Sequence, residues 1–241
     1  MRRVAIAVLA GAMLAWGLAA TCPAQAQSRH ALSISQTQNI GGFFSVVVRS
    51  LDSRWDLGHD KRFILHTMWI ADDTESWIEA GFVDGSVQVP GANQPFYHHG
   101  FYYALGRWQG GKVSRYGEYP YYGPSTDPGT RHGFVIKREE EGGVWGVYLD
   151  RTLARRVKGL KPTAARMDVG LETNYYGSVS SHWYEEAFSL LYQDGSWSYW
   201  KGGQLNLSEA ARAWGMGVKW VTPPRQDGLI SPMIQTWKQP L

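Results

Sequence analysis

The chain has 241 residues, a formal net charge of +3, one cysteine and an aromatic content of 14%. This length is sufficient for one large domain with a proper core. The small net charge gives no electrostatic argument for nucleic-acid binding, and a single cysteine excludes an internal disulfide and a metal site built from several thiolates.

The first 27 residues have the parts of a secretory signal peptide. Two arginines precede an apolar stretch from Val4 to Ala20, and the small-x-small sequence Ala24-Gln25-Ala26 follows it. The stretch is too short for a membrane span, and we expect none elsewhere. We predict removal of residues 1–27, including Cys22, and a single secreted domain over residues 28–241, extracellular or periplasmic. Loss of both arginines leaves a net charge near +1.

Segments rich in aromatic and β-branched residues then alternate with turn sequences, which is typical of an all-β protein. The predicted strands are Phe43 to Ser50, Phe63 to Ile70, Trp77 to Val83, Phe96 to Trp108, Lys112 to Tyr119, His132 to Arg138, Val144 to Asp150, Ala165 to Tyr175, Ala187 to Gln193, Ser196 to Lys201 and Met216 to Val221. Ser208 to Trp214 is predicted to be a short helix capped by Ser208, and Pro223-Pro224 to begin an irregular tail. We predict an antiparallel β-sandwich, of the jelly-roll type, with one short helix near the C-terminus.

Two of the predicted strands carry a glutamate in apolar surroundings. Acidic residues are depleted in strand interiors and are rarely buried without a partner, so Glu79 and Glu172 are unusual. We expect the two side chains to meet on one face of the folded sheet. Each has a glycine on its own face, Gly81 or Gly170, and we expect the missing side chains to leave room for a ligand.

Aromatic and polar residues near the glutamates are candidates to hold an extended peptide or a sugar ring. Alternation puts Trp77 on the face of Glu79 and Asn174 on the face of Glu172. The predicted substrate-binding residues are Trp77, Tyr103, Trp108, Tyr116 and Asn174. The adjacent pair His98-His99 would point to opposite faces of a strand, so we expect no metal site.

Both glutamate segments resemble motifs of the glutamic peptidases of the neprosin type. Glu79-Ala80-Gly81-Phe82 is similar to a Glu-Ala-Gly-aromatic segment of that family, and Gly170-Leu171-Glu172 is similar to its Gly-Gly-Glu segment. The order and rough spacing also fit, over about residues 68–174. In the related fungal glutamic peptidases a glutamine is paired with a glutamate, and Glu79 stands where that glutamine does.

The chain departs from the family in three respects. Leu171 replaces a glycine of the second motif, the cysteines of the plant family are missing, and no N-terminal inhibitory domain fits between Ser28 and Phe43.

The resemblance implies a secreted jelly-roll sandwich with the two glutamates on neighbouring strands of a concave sheet. Two like charges in one site resist ionising together, so one carboxyl keeps its proton. Glu172 is then the general base that activates water, and Glu79 the protonated partner. We therefore predict a monomeric acid endopeptidase that acts on polypeptides without a cofactor or a metal.

Two other functions fit the same residues. A non-catalytic sandwich would bind a carbohydrate or a cell surface through its aromatic residues. A glycan-cleaving enzyme also needs two carboxylates, and Glu118, Glu185 and Glu186 are further candidates for that chemistry because aromatic residues lie near them. The expected partner is thus a polypeptide substrate or a surface glycan, and not a nucleic acid.

Overall fold

A computed structural model describes residues 29–47, 62–109, 112–123, 127, 129–175 and 179–239. The predicted signal peptide lies outside these residues. Within the described part of the chain, no helix is long and apolar enough to cross a membrane.

Fifteen strands and one short helix make up the described part of the chain. The strands are β1 (Arg29–Asn39), β2 (Gly41–Val47), β3 (Phe63–Ala71), β4 (Trp77–Val87), β5 (Phe96–Gln109), β6 (Lys112–Tyr121), β7 (Arg131–Glu140), β8 (Val144–Leu149), β9 (Thr152–Lys158), β10 (Ala164–Thr173), β11 (Val179–Leu191), β12 (Trp197–Tyr199), β13 (Gln204–Leu207), β14 (Met216–Thr222) and β15 (Met233–Lys238). The helix is α1 (Glu209–Ala213).

The strands form two antiparallel sheets. The first has the order β13-β1-β10-β3-β4-β5-β6, and the second has the order β14-β15-β11-β2-β7-β8-β9 with β12 paired to β11. The chain crosses between the sheets repeatedly, since β1 belongs to the first, β2 to the second and β3 to the first again. This architecture is the antiparallel β-sandwich of the jelly-roll type that the sequence predicts.

The main core fills the space between the two sheets. Alternate residues of β3 and β4, such as Met68, Ile78 and Phe82, point inward and pack with Phe44 and Trp145 of the second sheet. Each is almost fully buried, and full burial of a large apolar side chain contributes about 1.5–3 kcal/mol. This packing fixes which face of β4 turns toward the second sheet.

The other face of the first sheet, here called the outer face, carries a second apolar cluster. It consists of Leu65, Val83, Val87, Tyr102 and Ala104. Glu79 alternates with the inward-pointing Ile78 and therefore lies on the outer face, beside this cluster. Part of the outer face is thus closed to water even though it faces away from the main core.

The short helix agrees with the sequence. The Ser208 hydroxyl accepts a hydrogen bond from the Ala211 amide at 3.1 Å, as expected of an N-cap. The expected irregular tail is wrong: β15 lies inside the second sheet between β14 and β11. Pro223, Pro224 and Pro232 precede this strand and lie outside it.

Four strands have no counterpart among the predicted segments: β1, β9, β13 and β15. The first of them, β1, lies in the first sheet between the edge strand β13 and β10. Its inward-facing positions include Ser33 and Ser35, which are buried. Small polar residues at buried positions remove the apolar alternation by which a strand is recognised.

Candidate active site

Glu79 is positioned by the tight turn that joins β3 to β4. Asp72 shapes this turn, because its Oδ1 accepts hydrogen bonds from the amides of Thr74 at 2.8 Å and Ser76 at 3.2 Å. The two strands then pair with Glu79 directly opposite Trp69. The side chains of both residues project from the outer face.

The Glu79 carboxyl is enclosed. The residue is 2% exposed, and the Tyr102 hydroxyl donates a hydrogen bond to its Oε1. Burial is the main reason that the pKa of Glu79 lies well above its usual value, and the charge of Glu172 raises this pKa further. The hydrogen bonds from Tyr102 and Thr67 act in the opposite direction and do not cancel the effect. Glu79 therefore keeps its proton to a higher pH than an ordinary glutamate.

Glu172 is the more accessible of the two glutamates. It lies on β10 opposite His30 on one side and Leu65 on the other. Its side chain is 14% exposed, and its Oε2 is 3.7 Å from Nδ1 of His30. Glu172 thus has contact with water, which the enclosed Glu79 lacks.

Strand β3 lies between the strands of the two glutamates, whereas the resemblance implies neighbouring strands. Even so, the charge of Glu172 raises the pKa of Glu79. It also raises the pKa values of Tyr116 and Glu118, which lie on β6. For all three groups, burial raises the pKa more than this charge does. The side chains of Glu79, Glu172, Glu118 and Tyr116 therefore lie within electrostatic range of one another on the outer face. The region that they share is here called the hollow.

Glu118 supplies a third carboxylate to this hollow. It pairs with Ala104, which in turn pairs with Glu79, so the two acidic residues stand in one row across the sheet. Oε1 accepts a hydrogen bond from the Tyr116 hydroxyl at 2.5 Å, and Oε2 accepts one from the Gln88 amide. Burial raises the pKa of Glu118, and these two hydrogen bonds lower it.

A fourth acidic residue, Asp168, occupies the other end of the same row. It pairs with Trp69, which pairs with Glu79. Burial raises the pKa of Asp168 to about 6, although the nearby Arg166, with Nε 3.0 Å from Oδ2, lowers it. Oδ1 has no hydrogen-bond partner among the described residues. The four-residue spacing to Glu172 is the sequence signal for a shared face, but it does not reveal burial.

Three of the predicted substrate-binding residues lie in or next to the hollow. The Trp77 indole lies over Gly106, where a β-carbon would be 2.2 Å from the ring, and its centroid is 6.1 Å from that of Tyr116. Asn174 is buried, and its Oδ1 accepts a hydrogen bond from the Phe63 amide at 2.8 Å. This hydrogen bond joins the end of β10 to the start of β3, so the Asn174 side chain has a structural role.

The structure places Tyr103 away from the hollow, contrary to the prediction. It pairs with Ala80, belongs to the main core and stacks on Tyr119 with ring centroids 4.9 Å apart. The tyrosine on the outer face is its neighbour, Tyr102. The side chain of Trp108 is outside the described residues, as are those of Glu185 and Glu186 on β11.

The two glycines beside the glutamates do not leave open space. A β-carbon on Gly81 would lie 2.1 Å from the carbonyl oxygen of His66, and one on Gly170 would lie 2.3 Å from that of Ala31. In both cases the backbone of the adjacent strand occupies the position. The glycines therefore permit close approach of strands, which differs from the room for a ligand that we expected.

No family model and no curated protein matches this sequence. Among solved structures, scytalido-glutamic peptidase with a transition state analog inhibitor is similar over 88% of this chain and 98% of its own, with a TM-score of 0.51 and 8% identity. SCP-B, a member of the Eqolisin family of peptidases in complex with the tripeptide Ala-Ile-His, covers 88% and 97%, with a TM-score of 0.45 and 10% identity. The kappa-carrageenase zobellia_236 from Zobellia galactanivorans covers 87% and 78%, with a TM-score of 0.35 and 8% identity. The chain therefore has a fold like that of scytalido-glutamic peptidase.

Proposed function

We propose that the protein is a secreted acid endopeptidase of the glutamic type, with Glu79 and Glu172 as its catalytic pair. One observation carries the proposal: an enclosed carboxyl with a strongly raised pKa and a more accessible carboxyl share one hollow and interact electrostatically. Pairs of acidic groups whose surroundings separate their protonation are typical of acid–base catalysis. The resemblance of both glutamate segments to the neprosin type supports the same assignment.

In this mechanism Glu172 is ionised and accepts a proton from water as the water oxygen bonds to the peptide carbonyl carbon. Glu79 donates its proton to the carbonyl oxygen, which gives a neutral tetrahedral intermediate. Glu172 then passes its proton to the leaving nitrogen, the carbon–nitrogen bond breaks, and Glu79 regains its proton from the hydroxyl group. Because Tyr102 donates to Oε1 of Glu79, Oε2 is the oxygen that carries the transferable proton.

Cleavage of casein and of a quenched fluorescent peptide across pH tests the proposal. We expect Glu172→Gln to lower kcat by about 10²–10⁴-fold, the usual contribution of a general base. Glu79→Gln keeps an N–H donor for the developing oxyanion but has no proton to transfer. We therefore expect a smaller loss of activity, with the decline at high pH removed.

Glu141→Gln is the matched control, because Glu141 is exposed in the β7–β8 turn. It should keep wild-type activity and the wild-type pH profile. Unchanged activity in both Glu79→Gln and Glu172→Gln would end the assignment of this pair. The assignment would also end if the folded wild-type protein cleaved none of the substrates at any pH.

A glycan-cleaving enzyme is the second candidate, because a third carboxylate and two aromatic rings share the hollow. Glu118 accepts a hydrogen bond from Tyr116, and the Trp77 and Tyr116 rings offer surfaces on which a sugar ring could stack. Release of reducing ends from polysaccharides, lost in Glu118→Gln and retained in Glu141→Gln, would favour this function. Polysaccharide binding without cleavage would favour the non-catalytic binding module.

A further inference from the structure

A cavity of about 760 Å³ adjoins the proposed catalytic pair on the outer face. It lies over β13, β1, β10, β3 and the start of β4. Two of its lining residues are cross-strand neighbours of the glutamates: Trp69 pairs with Glu79, and His30 pairs with Glu172. Its size is within the range of about 300–1,000 Å³ that is usual for ligand sites. The cavity therefore lies next to both glutamates, although neither of them lines it.

The lining of the cavity is mainly apolar and aromatic. Trp69 and Trp77 contribute indole rings, and Leu32 and Ile34 of β1 contribute aliphatic side chains. The His30 ring meets the Trp69 ring edge-on, with centroids 6.0 Å apart. Surfaces of this kind favour a flat ring over a flexible polar chain.

The charges around the cavity do not favour a cation. Arg29 and Arg166 line it and carry positive charge. The negatively charged residues of the lining are Asp168 and Glu75. Nε of Arg166 is 3.0 Å from Oδ2 of Asp168, and Nη1 of Arg166 is 3.4 Å from Oε2 of Glu75. A bound lysine or arginine side chain would thus find no excess of negative charge.

Of the lining residues that the structure describes, Asp168 is the polar one that has an unpaired oxygen. It lines the cavity, its side chain is 8% exposed, and its Oδ1 lacks a hydrogen-bond partner among the described residues. A buried carboxyl oxygen without a partner costs free energy, which a donor from a ligand recovers. The carboxyl group rotates readily about χ2, so either oxygen can turn toward that donor.

We propose that the cavity is a specificity pocket for a neutral aromatic side chain with a hydrogen-bond donor, namely a tyrosine of the peptide substrate near the cleaved bond. The indole rings of Trp69 and Trp77 contact the phenol ring, and the Asp168 carboxyl accepts the hydrogen bond from its hydroxyl group. This inference rests on the proposed peptidase function, because it names the substrate residue that the same site selects.

Peptides that differ at a single position, with Tyr, Phe, Arg or Glu, test the pocket. In wild type we expect kcat/KM for the Tyr peptide to exceed that for the Phe peptide about tenfold, since one hydrogen bond to a buried polar group gives an effect of this size. We expect the Arg and Glu peptides to be poorer than both. Asp168→Ala should make the Tyr and Phe peptides equal, and Asp168→Asn, which keeps an acceptor oxygen, should retain part of the preference.

Binding of the same peptides to the full-length Glu172→Gln variant, by calorimetry, separates this inference from the proposed function. Tyr-selective binding that Asp168→Ala removes, without any cleavage by wild type, would contradict the peptidase and leave the pocket intact. Cleavage without a Tyr preference would overturn the pocket alone. Asp194→Ala, in the exposed turn after β11, is the matched control and should keep the preference.

Two other results would also overturn the pocket. In the first, Asp168→Ala and Asp168→Asn both lose cleavage of every peptide to the same extent, while peptide binding is unchanged. Asp168 would then take part in the chemical step. The other is binding of oligosaccharides that requires Trp69, with no binding of any peptide.

Discussion

Replacing Tyr102 by phenylalanine is predicted to move one side of the pH–activity profile and leave the other in place. Tyr102 is 1% exposed, and its hydroxyl donates a hydrogen bond to Glu79. This bond favours the ionised form and lowers the pKa of Glu79, although burial keeps that pKa raised overall. The substitution removes the bond and retains the buried ring in the outer-face cluster.

A hydrogen bond to a charged group is worth about 1.5–3 kcal/mol, and about 1.36 kcal/mol corresponds to one pH unit. Tyr102→Phe should therefore raise the pKa of Glu79 by about one to two. Activity requires protonated Glu79, so the decline of kcat/KM at high pH should move upward by about the same amount. The decline at low pH should stay where it is.

The assay is kcat/KM for one peptide substrate at closely spaced pH values. Tyr148→Phe is the matched control, because the Tyr148 hydroxyl donates to Glu139 in the second sheet, and its profile should equal that of wild type. A high-pH decline that stays in place or moves to lower pH in a folded Tyr102→Phe protein would refute Glu79 as the protonated partner.

Three further predictions follow from the described contacts. Glu118→Gln removes a like charge that raises the pKa of Glu79, so the high-pH decline should move to lower pH, opposite to the effect of Tyr102→Phe; an upward shift would contradict this. Gly81→Ala should lower the free energy of unfolding by about 1–3 kcal/mol in chemical denaturation, because the added β-carbon would clash with the His66 carbonyl oxygen. Gly202→Ala should have little effect, because the space around Gly202 is open. Equal losses in the two variants would refute the packing argument. Ser208→Ala should lower the free energy of unfolding by about 1 kcal/mol, because it removes the N-cap of the helix. Chemical denaturation measures this loss, and an unchanged stability would contradict it.

Alternation along single strands predicted much of the first sheet. The segments around β3, β4, β5 and β10 have apolar residues at every second position on the inward face, and β4 places Trp77 and Glu79 together on the other face. The same reasoning failed at Tyr102 and Tyr103, because both are buried, one on each face of β5. Where both faces of a strand are buried, the alternation of apolar and polar residues does not show which residue faces the hollow.

The sheet order could not be predicted from the sequence. It depends on which strands pair, and β1 pairs with β10 across more than a hundred residues of chain. Glu118 and Asp168 enter the row of Glu79 only through these pairings. The burial of Glu79 likewise depends on Tyr102, which is 23 residues away in sequence.

In the proposed catalytic pair, Glu79 holds its proton because it is buried and because the charge of Glu172 lies within electrostatic range. Titration of the side-chain carboxyl carbons by ¹³C NMR measures this directly. We predict one glutamate signal, absent in Glu79→Gln, that titrates well above the ordinary glutamate value of about 4.3 and moves to lower pH in Glu172→Gln. A Glu79 signal that titrates like an exposed glutamate, or that does not respond to Glu172→Gln, would contradict the proposed catalytic pair.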